Sequence, residues 1–346
     1  MKTKIIRINP KKIEVSKIKA VARILRNGGL VAFPTETVYG LGANAFDIKA
    51  VRKIFEAKGR PTDNPLIVHI ADKKEVYSLA KKVPKEAEKL IDKFWPGPLT
   101  LVLKKSKIVP KIITAGLDSV AIRMPANEIA LSLIKMAKIS IAAPSANLSG
   151  KPSPTRAEHV ISDLYGKIDS IIDGGNTKIG VESTVLDLTT RTPLLLRPGG
   201  ITLEELKKVL GKVEIHSSIK KKNVKRIVAK SPGMRYRHYA PIAKVILIEG
   251  KPRNIKNMVH KLTKRYKKYK KKFGIIKTSK HNNYKNGIIK FIGDDFNSMA
   301  KNLFKTFREF DKKRVEIIIV EGIDDKKLGF AIMNRLRKAA YKIIKI

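Results

Sequence analysis

The 346-residue chain contains no cysteine and few acids: 30 Asp and Glu stand against 74 Lys and Arg, a formal net charge of +44. The first absence excludes disulfides, thiolate metal sites and a cysteine nucleophile. The second makes a polyanion, nucleic acid above all, a natural partner class. Lysine is also spread beside isoleucine along the whole chain, which a compositional bias or a hot habitat would equally produce. No apolar run nears the roughly 18 residues of a membrane span. The basic start MKTKIIRINPKK lacks the continuous apolar segment of a signal peptide. A cytoplasmic protein with no membrane contact is expected. Several motifs are missing too. Without G-x-x-x-x-G-K-[ST] there is no Walker phosphate loop. GLGANA, residues 40–45, departs from G-x-G-x-x-G at its last place. There is no H-E-x-x-H, and the six histidines are scattered, so no protein metal site is expected. Any divalent ion is expected to be Mg²⁺ held largely by substrate phosphates.

The chain is 43% hydrophobic, enough for real cores, and long enough for two of them. Residues 1–215 alternate helical and strand-like segments. Ser16–Asn27 carries Ile18, Val21, Ile24 and Leu25 at helical spacing, and Gly28-Gly29 ends it. Asp47 is placed to cap a second helix, and Lys85–Phe94 reads as another. Thr202-x-x-Glu205 is a capping box opening a short helix that Gly211 ends. Strands are expected at Leu30–Phe33, Leu66–Ile70, Leu99–Leu103, Val120–Met124, Ile139–Ala143, Ser170–Asp173 and Val181–Leu188. Such alternation predicts an α/β domain with one large sheet. Residues 216–241, HSSIKKKNVKRIVAKSPGMRYRHYAP, are basic and aperiodic and read as a linker. From 242 to 346 strands and helices alternate again, predicting a smaller α/β domain with a mostly parallel sheet. The basic run 264–272 reads as a solvated helix face.

Polar groups follow the apolar strands, where open α/β sheets gather ligands. Thr35-Glu36-Thr37 follow Phe33. Lys58, Arg60 and Asn64 sit in the proline-braced EAKGRPTDNP, with His69 in the strand beyond. Ser119 precedes a strand that contains Arg123. Ser145, Asn147, Ser149 and Ser153 follow another strand, Ser183 and Thr184 lie in VESTVLDL, and Arg197 opens RPGG. Each has a plain alternative: a snorkelling arginine, a satisfied core histidine, an ordinary turn, a solvated charge. Together, four cations among neutral hydroxyls and amides suit phosphates and a carboxylate.

FPTETVYGL, KGRPTDNPLIVHI, FWPGPLT, AIRMP, APSANLSG, ESTVLDL and RPGG together resemble the YrdC-like domain of threonylcarbamoyl-AMP synthases. SPGMRYRHYAP followed by a second α/β domain is similar to their two-domain form. The resemblance implies a strongly twisted open sheet flanked by helices, with a concave basic face, plus a smaller Rossmann-like C-terminal domain. It implies that L-threonine, bicarbonate and ATP with Mg²⁺ give threonylcarbamoyl-AMP and pyrophosphate. A partner complex then carries the threonylcarbamoyl group to the adenosine beside the anticodon of tRNA. It assigns Thr37, His69, Arg123, Ala143 and Ser183 to threonine. It assigns Lys58, Arg60, Asn64, Ser119, Ser145, Asn147, Ser153 and Arg197 to ATP, with Lys58 and Arg60 offsetting charge on the phosphates during the reaction. Tyr236 and His238 are expected to touch the nucleotide from a linker folded over the pocket as a lid. No residue looks like an obligatory general base, though Glu36 is a candidate. One rival is a non-enzymatic RNA-binding protein using the basic face. Another is a carbamoyl-transfer enzyme of the hydrogenase-maturation kind, which the absence of cysteine disfavours.

Overall fold

The computed structural model describes residues 2–220 and 239–346. Among these, contacts divide the chain into one compact unit of residues 2–149 and 153–220, and another of residues 150–152 and 239–346.

The first unit is a mixed sheet of eleven strands: β1 (Lys4–Arg7), β2 (Val31–Phe33), β3 (Gly40–Asn44), β4 (Ile67–His69), β5 (Leu99–Lys104), β6 (Ser119–Arg123), β7 (Ile141–Ala142), β8 (Ser170–Asp173), β9 (Thr184–Asp187), β10 (Leu194–Arg197) and β11 (Glu214–Ile215). Their order is β1-β8-β2-β3-β7-β4-β6-β5-β9-β10-β11. The expected helices form where their signals stand. Asp47 accepts from the backbone N–H groups of Lys49 and Ala50 and starts Ile48–Lys58, and the Thr202/Glu205 capping box starts Leu203–Leu210. Helices Glu128–Ala137 and Ala157–Leu164 were not expected. Neither was β3. GLGAN is a strand antiparallel to β2, with Phe33 opposite Gly40. The fully buried Phe33 ring lies over these glycines; a Cβ at Gly42 would stand 2.8 Å from its Cε1. The glycines therefore serve close packing.

Strand register sets the face that matters. Ile67 pairs with Ala121 and His69 with Arg123 in parallel, while Val102 pairs with Ala121 and Lys104 with Ser119 in antiparallel. Period-two alternation then puts Ser119, Ala121 and Arg123 on one face with Ile67, His69, Thr100 and Val102. The middle of that face is apolar: Ile67, Val102, Ala121, Val185 and Leu196 cluster there.

The second unit holds a five-stranded sheet of β12 (Lys244–Glu249), β13 (Phe273–Lys277), β14 (Ile288–Phe291), β15 (Ile317–Glu321) and β16 (Lys342–Lys345), ordered β14-β13-β15-β12-β16. Every pairing is parallel, firmer than the expected mostly parallel sheet. Helix Leu328–Ala339 is the last helix of this unit, and β16 follows it. Within this unit Ala240 N–H donates to Gly150 O at 2.9 Å and Arg308 Nη2 to Pro152 O at 2.6 Å. Among the described residues no helix is long and apolar enough to cross a membrane.

At the end of β15 the buried Glu321 accepts from Thr278 N–H at 2.7 Å, from Asn282 Nδ2 at 2.7 Å and from the Tyr284 hydroxyl. Burial and this carboxylate push the Tyr284 hydroxyl far above the usual phenol range. Glu321→Ala strands donors on three residues, costing about 3 kcal/mol. Hydrogen exchange across β13 and β15 is expected to speed up by roughly two orders of magnitude. Unchanged exchange would show that the clamp is idle.

Candidate active site

The turn after β2 is built from hydroxyls. The Thr35 hydroxyl donates to Val38 O at 2.6 Å and accepts from the N–H groups of Thr37 and Val38, both at 3.2 Å. Its one proton is thus spent, so in the 2.8 Å contact between the two hydroxyls it is Thr37 that donates. The Thr37 hydroxyl in turn accepts from Arg123 Nη2 at 3.0 Å. Arg123 ends β6, only 4% exposed, and its Nε donates to Gly97 O at 3.3 Å. Its Nη2 also stands 2.7 Å from Glu36 Oε2, in an ion pair whose two side chains are each 5% exposed. From the far side Ile179 and Gly180 N–H donate to the carbonyls of Glu36 and Thr37 at 2.8 and 3.1 Å.

A second knot adjoins. Arg197, at the end of β10, sends Nε to Ser183 O and Nη2 to Ser183 Oγ, each at 3.0 Å. Ser183 Oγ also meets Thr100 Oγ1 of β5 at 2.8 Å. Gly199 has no room for a side chain, since a Cβ there would stand 2.4 Å from Ser183 C and 2.3 Å from Thr184 N. The FWPGPLT motif contributes carbonyls: Gly97 O to Arg123, and Pro98 O to Thr184 N–H at 2.9 Å.

His69 lies beside Arg123 across the β4–β6 register. Its Nδ1 is 3.2 Å from Ile67 O, and a carbonyl can only accept, so Nδ1 carries the proton and Nε2 is left as an acceptor. Burial, then the neighbouring Arg123 charge, lowers its pKa to about 3. Ala143 is buried and holds the start of β4 through its N–H to Ile67 O at 2.9 Å.

The cations assigned to ATP are tied to backbone. Lys58, 2% exposed, donates through Nζ to Ser145 O and Asn147 O, both at 2.5 Å. Its own carbonyl accepts from Ser149 N–H at 2.9 Å, so one residue shapes the APSANLSG loop. Asn147 Nδ2 closes that loop on Leu148 O at 2.8 Å. Arg60 Nη2 donates to Asn64 O at 3.2 Å and Pro65 O at 3.1 Å. Asn64 is 1% exposed and its Oδ1 has no hydrogen-bond partner. Ser119, half-buried, starts β6, and extending the β4–β6 register sets it beside Pro65. Ser153, 1% exposed, donates its hydroxyl to Glu182, itself 5% exposed. Thr37 and Arg123 thus touch directly, as do Ser183 and Arg197, Lys58 and the Ser145–Asn147 loop, and Arg60 and Asn64. Ser119 stands at the opposite end of β6 from Arg123, about 13 Å along the strand. Tyr236 and His238, and the lid built on them, lie outside the described residues. Sequence reasoning missed Thr100, the hydroxyl in an otherwise apolar LTLVL, and Glu182, an acid directly before Ser183 in a chain poor in acids.

Two family models match this chain. The Sua5, YciO and YrdC model, described as telomere recombination, covers residues 23–199. A second, described as threonylcarbamoyl-AMP synthase, C-terminal domain, covers residues 201–341. The threonylcarbamoyl-AMP synthase of Pyrococcus abyssi is 56% identical over 97% of this chain and 97% of its own length. That of Bacillus subtilis is 48% identical over 94% and 93%. The crystal structure of P. abyssi Sua5 complexed with L-threonine superimposes with a TM-score of 0.95 at 55% identity, covering 99% of this chain and 100% of the other. The chain belongs to the threonylcarbamoyl-AMP synthase family, in its two-domain form.

Two measurements probe this geometry. The His69 imidazole is expected to stay neutral by NMR from pH 8 down to about pH 4, since its folded pKa lies near 3 against 6.5 unfolded. Between those values the unfolded chain takes up a proton that the folded one refuses, so stability falls as the pH falls. A His69→Gln variant flattens that slope, and a titration near pH 6.5 would overturn the assignment. Gly199→Val, which must push Ser183 away, is expected to cut kcat/KM at least about a hundredfold through misplacement alone while the fold survives by circular dichroism.

Proposed function

We propose that this chain makes threonylcarbamoyl-AMP from L-threonine, bicarbonate and ATP, releasing pyrophosphate. The observation that carries the reading is the buried meeting of Arg123, Thr37 and Glu36 beside the Ser183–Arg197 knot on one sheet face. A carboxylate-binding arginine there is ringed by neutral hydroxyls and a neutral histidine, a fitting seat for a small hydroxy amino acid. A site that hydrogen-bonds a substrate hydroxyl discriminates strongly against analogues lacking it. In this proposal Thr37, His69, Ala143 and Ser183 line the seat, with His69 Nε2 as an acceptor.

ATP is proposed to run from Arg197, at the Arg123 end of the face, toward the start of β6, held also by Arg60, Asn64, Ser119, Ser145, Asn147 and Ser153. The unpartnered Asn64 Oδ1 supports this, since a buried acceptor without a donor suits a bound ligand. Lys58 and Arg60 are proposed to act in two ways at once: they hold the two phosphate-facing loops in shape and offset charge on the phosphates. Among the described residues no three His, Asp or Glu side chains gather as metal ligands. Magnesium in this reading arrives on the ATP phosphates as part of the substrate.

The chemistry needs no enzyme-bound covalent intermediate. The threonine amine attacks the bicarbonate carbon, water leaves, and a carbamate forms. A carbamate oxygen attacks the α-phosphorus, the bond to the β-phosphate oxygen breaks, and pyrophosphate departs. The protein's part is to hold two anions together and exclude competing water. The reading places the work in the cytoplasm and passes the product to a complex that modifies tRNA. It keeps direct RNA contact because of the +44 surplus, seven of whose cations stand in residues 264–272.

The test is pyrophosphate release from ATP and Mg²⁺, with threonine and bicarbonate added singly and together. Release is expected only with both, and less when serine replaces threonine. Ser183→Ala is expected to raise the KM for threonine about tenfold, one hydrogen bond's worth. Pyrophosphate release indifferent to threonine would overturn the proposal.

A further inference from the structure

Glu36 is the one buried carboxylate in the threonine seat that the reading above leaves without a task. Its side chain is 5% exposed, and neither oxygen accepts a hydrogen bond. Arg123 Nη2 is 2.7 Å away, yet its directed N–H contact is with the Thr37 hydroxyl, so the charges touch while the carboxylate stays without donors. Such a group is costly to keep in a folded interior. The other groups around it supply no donor. The Thr37 proton goes to Thr35, and His69 carries its single proton toward Ile67 O. What remains is a negative and a positive group side by side, the negative one short of N–H partners.

An α-amino acid carries the same two signs on a single carbon, reversed. Its carboxylate matches Arg123, and its ammonium brings the three donors that Glu36 lacks. We infer that Glu36 receives the α-ammonium group of the incoming amino acid, so that the Glu36–Arg123 pair reads the zwitterion and rejects α-hydroxy acids of the same shape. Glu36 is then a specificity-determining contact. This rests on the proposal that threonine binds at Arg123. The neutral state of His69 helps, because a second cation beside Arg123 would repel the ammonium.

The test is calorimetric binding to the full-length chain of L-threonine and of the matching 2,3-dihydroxybutanoate, which has a hydroxyl in place of the amine. The unaltered protein is expected to prefer threonine by about a hundredfold or more. Glu36→Gln is expected to lose threonine affinity by about that factor, keep the hydroxy acid within threefold, and leave ATP binding unchanged. If both ligands weaken equally in Glu36→Gln, the residue only holds Arg123 in place and the inference fails. If threonine binds this variant undiminished, the inference also fails, with the threonine reading intact. Equal binding of the two ligands by the unaltered protein overturns it whatever the variants do. No threonine binding at all by the unaltered protein overturns the proposed pocket with it. Glu36→Asp, which keeps the charge, is expected to retain the preference at lower affinity.

Discussion

One buried guanidinium holds the face of the candidate site together. Arg123 reaches from the last position of β6 to the Thr37 hydroxyl, the Gly97 carbonyl and the Glu36 carboxylate. Those contacts come from two separate stretches of chain, and each turn is fixed by what it gives to the arginine. The arrangement tolerates burial because the charge is offset by a carboxylate at contact distance and by oxygen lone pairs. Remove the guanidinium, and the turn after β2 and the loop before β5 lose their common fixed point.

The same economy recurs in the other cations of this face. Lys58 and Arg60 grip carbonyls of loops, and Arg197 grips both the backbone and the side chain of Ser183. Loops after strands expose carbonyls that must find donors, and long cationic side chains supply them from neighbouring elements. The positive charge therefore arrives where the proposed phosphates lie as part of the scaffold. Preorganisation of this kind offsets developing charge with little movement at the moment of reaction.

Much of this was legible in the residues. Short segments rich in apolar residues marked β4, β5, β6 and β8 because buried strands favour apolar side chains, and caps such as Asp47 and Thr202 marked helix starts. The polar groups after strands include Thr37, Arg123, Ser183 and Arg197, which the fold brings together in two adjoining knots. What stayed hidden depends on distance in sequence. Gly40 and Gly42 look like loop residues until Phe33 is seen lying on them. Thr100 gains meaning only from Ser183, 83 residues away, and Glu182 only from Ser153. Nor could spacing show that Lys58 meets carbonyls on a loop 87 residues on. Charge reads as charge in a sequence; whether it is spent on backbone or held for a ligand is decided by packing.

Strand β6 has a further meaning as a ruler. Ser119 stands at its start and Arg123 at its end, with Ala121 in the apolar stretch between them. A strand is too stiff to shorten, so the span between the two groups is set by residue count and not by side-chain choice. Changes that alter what is recognised at one end leave the other end in place. On the proposed placement, amino-acid preference and nucleotide preference can drift separately, so long as the five residues from Ser119 to Arg123 keep their number.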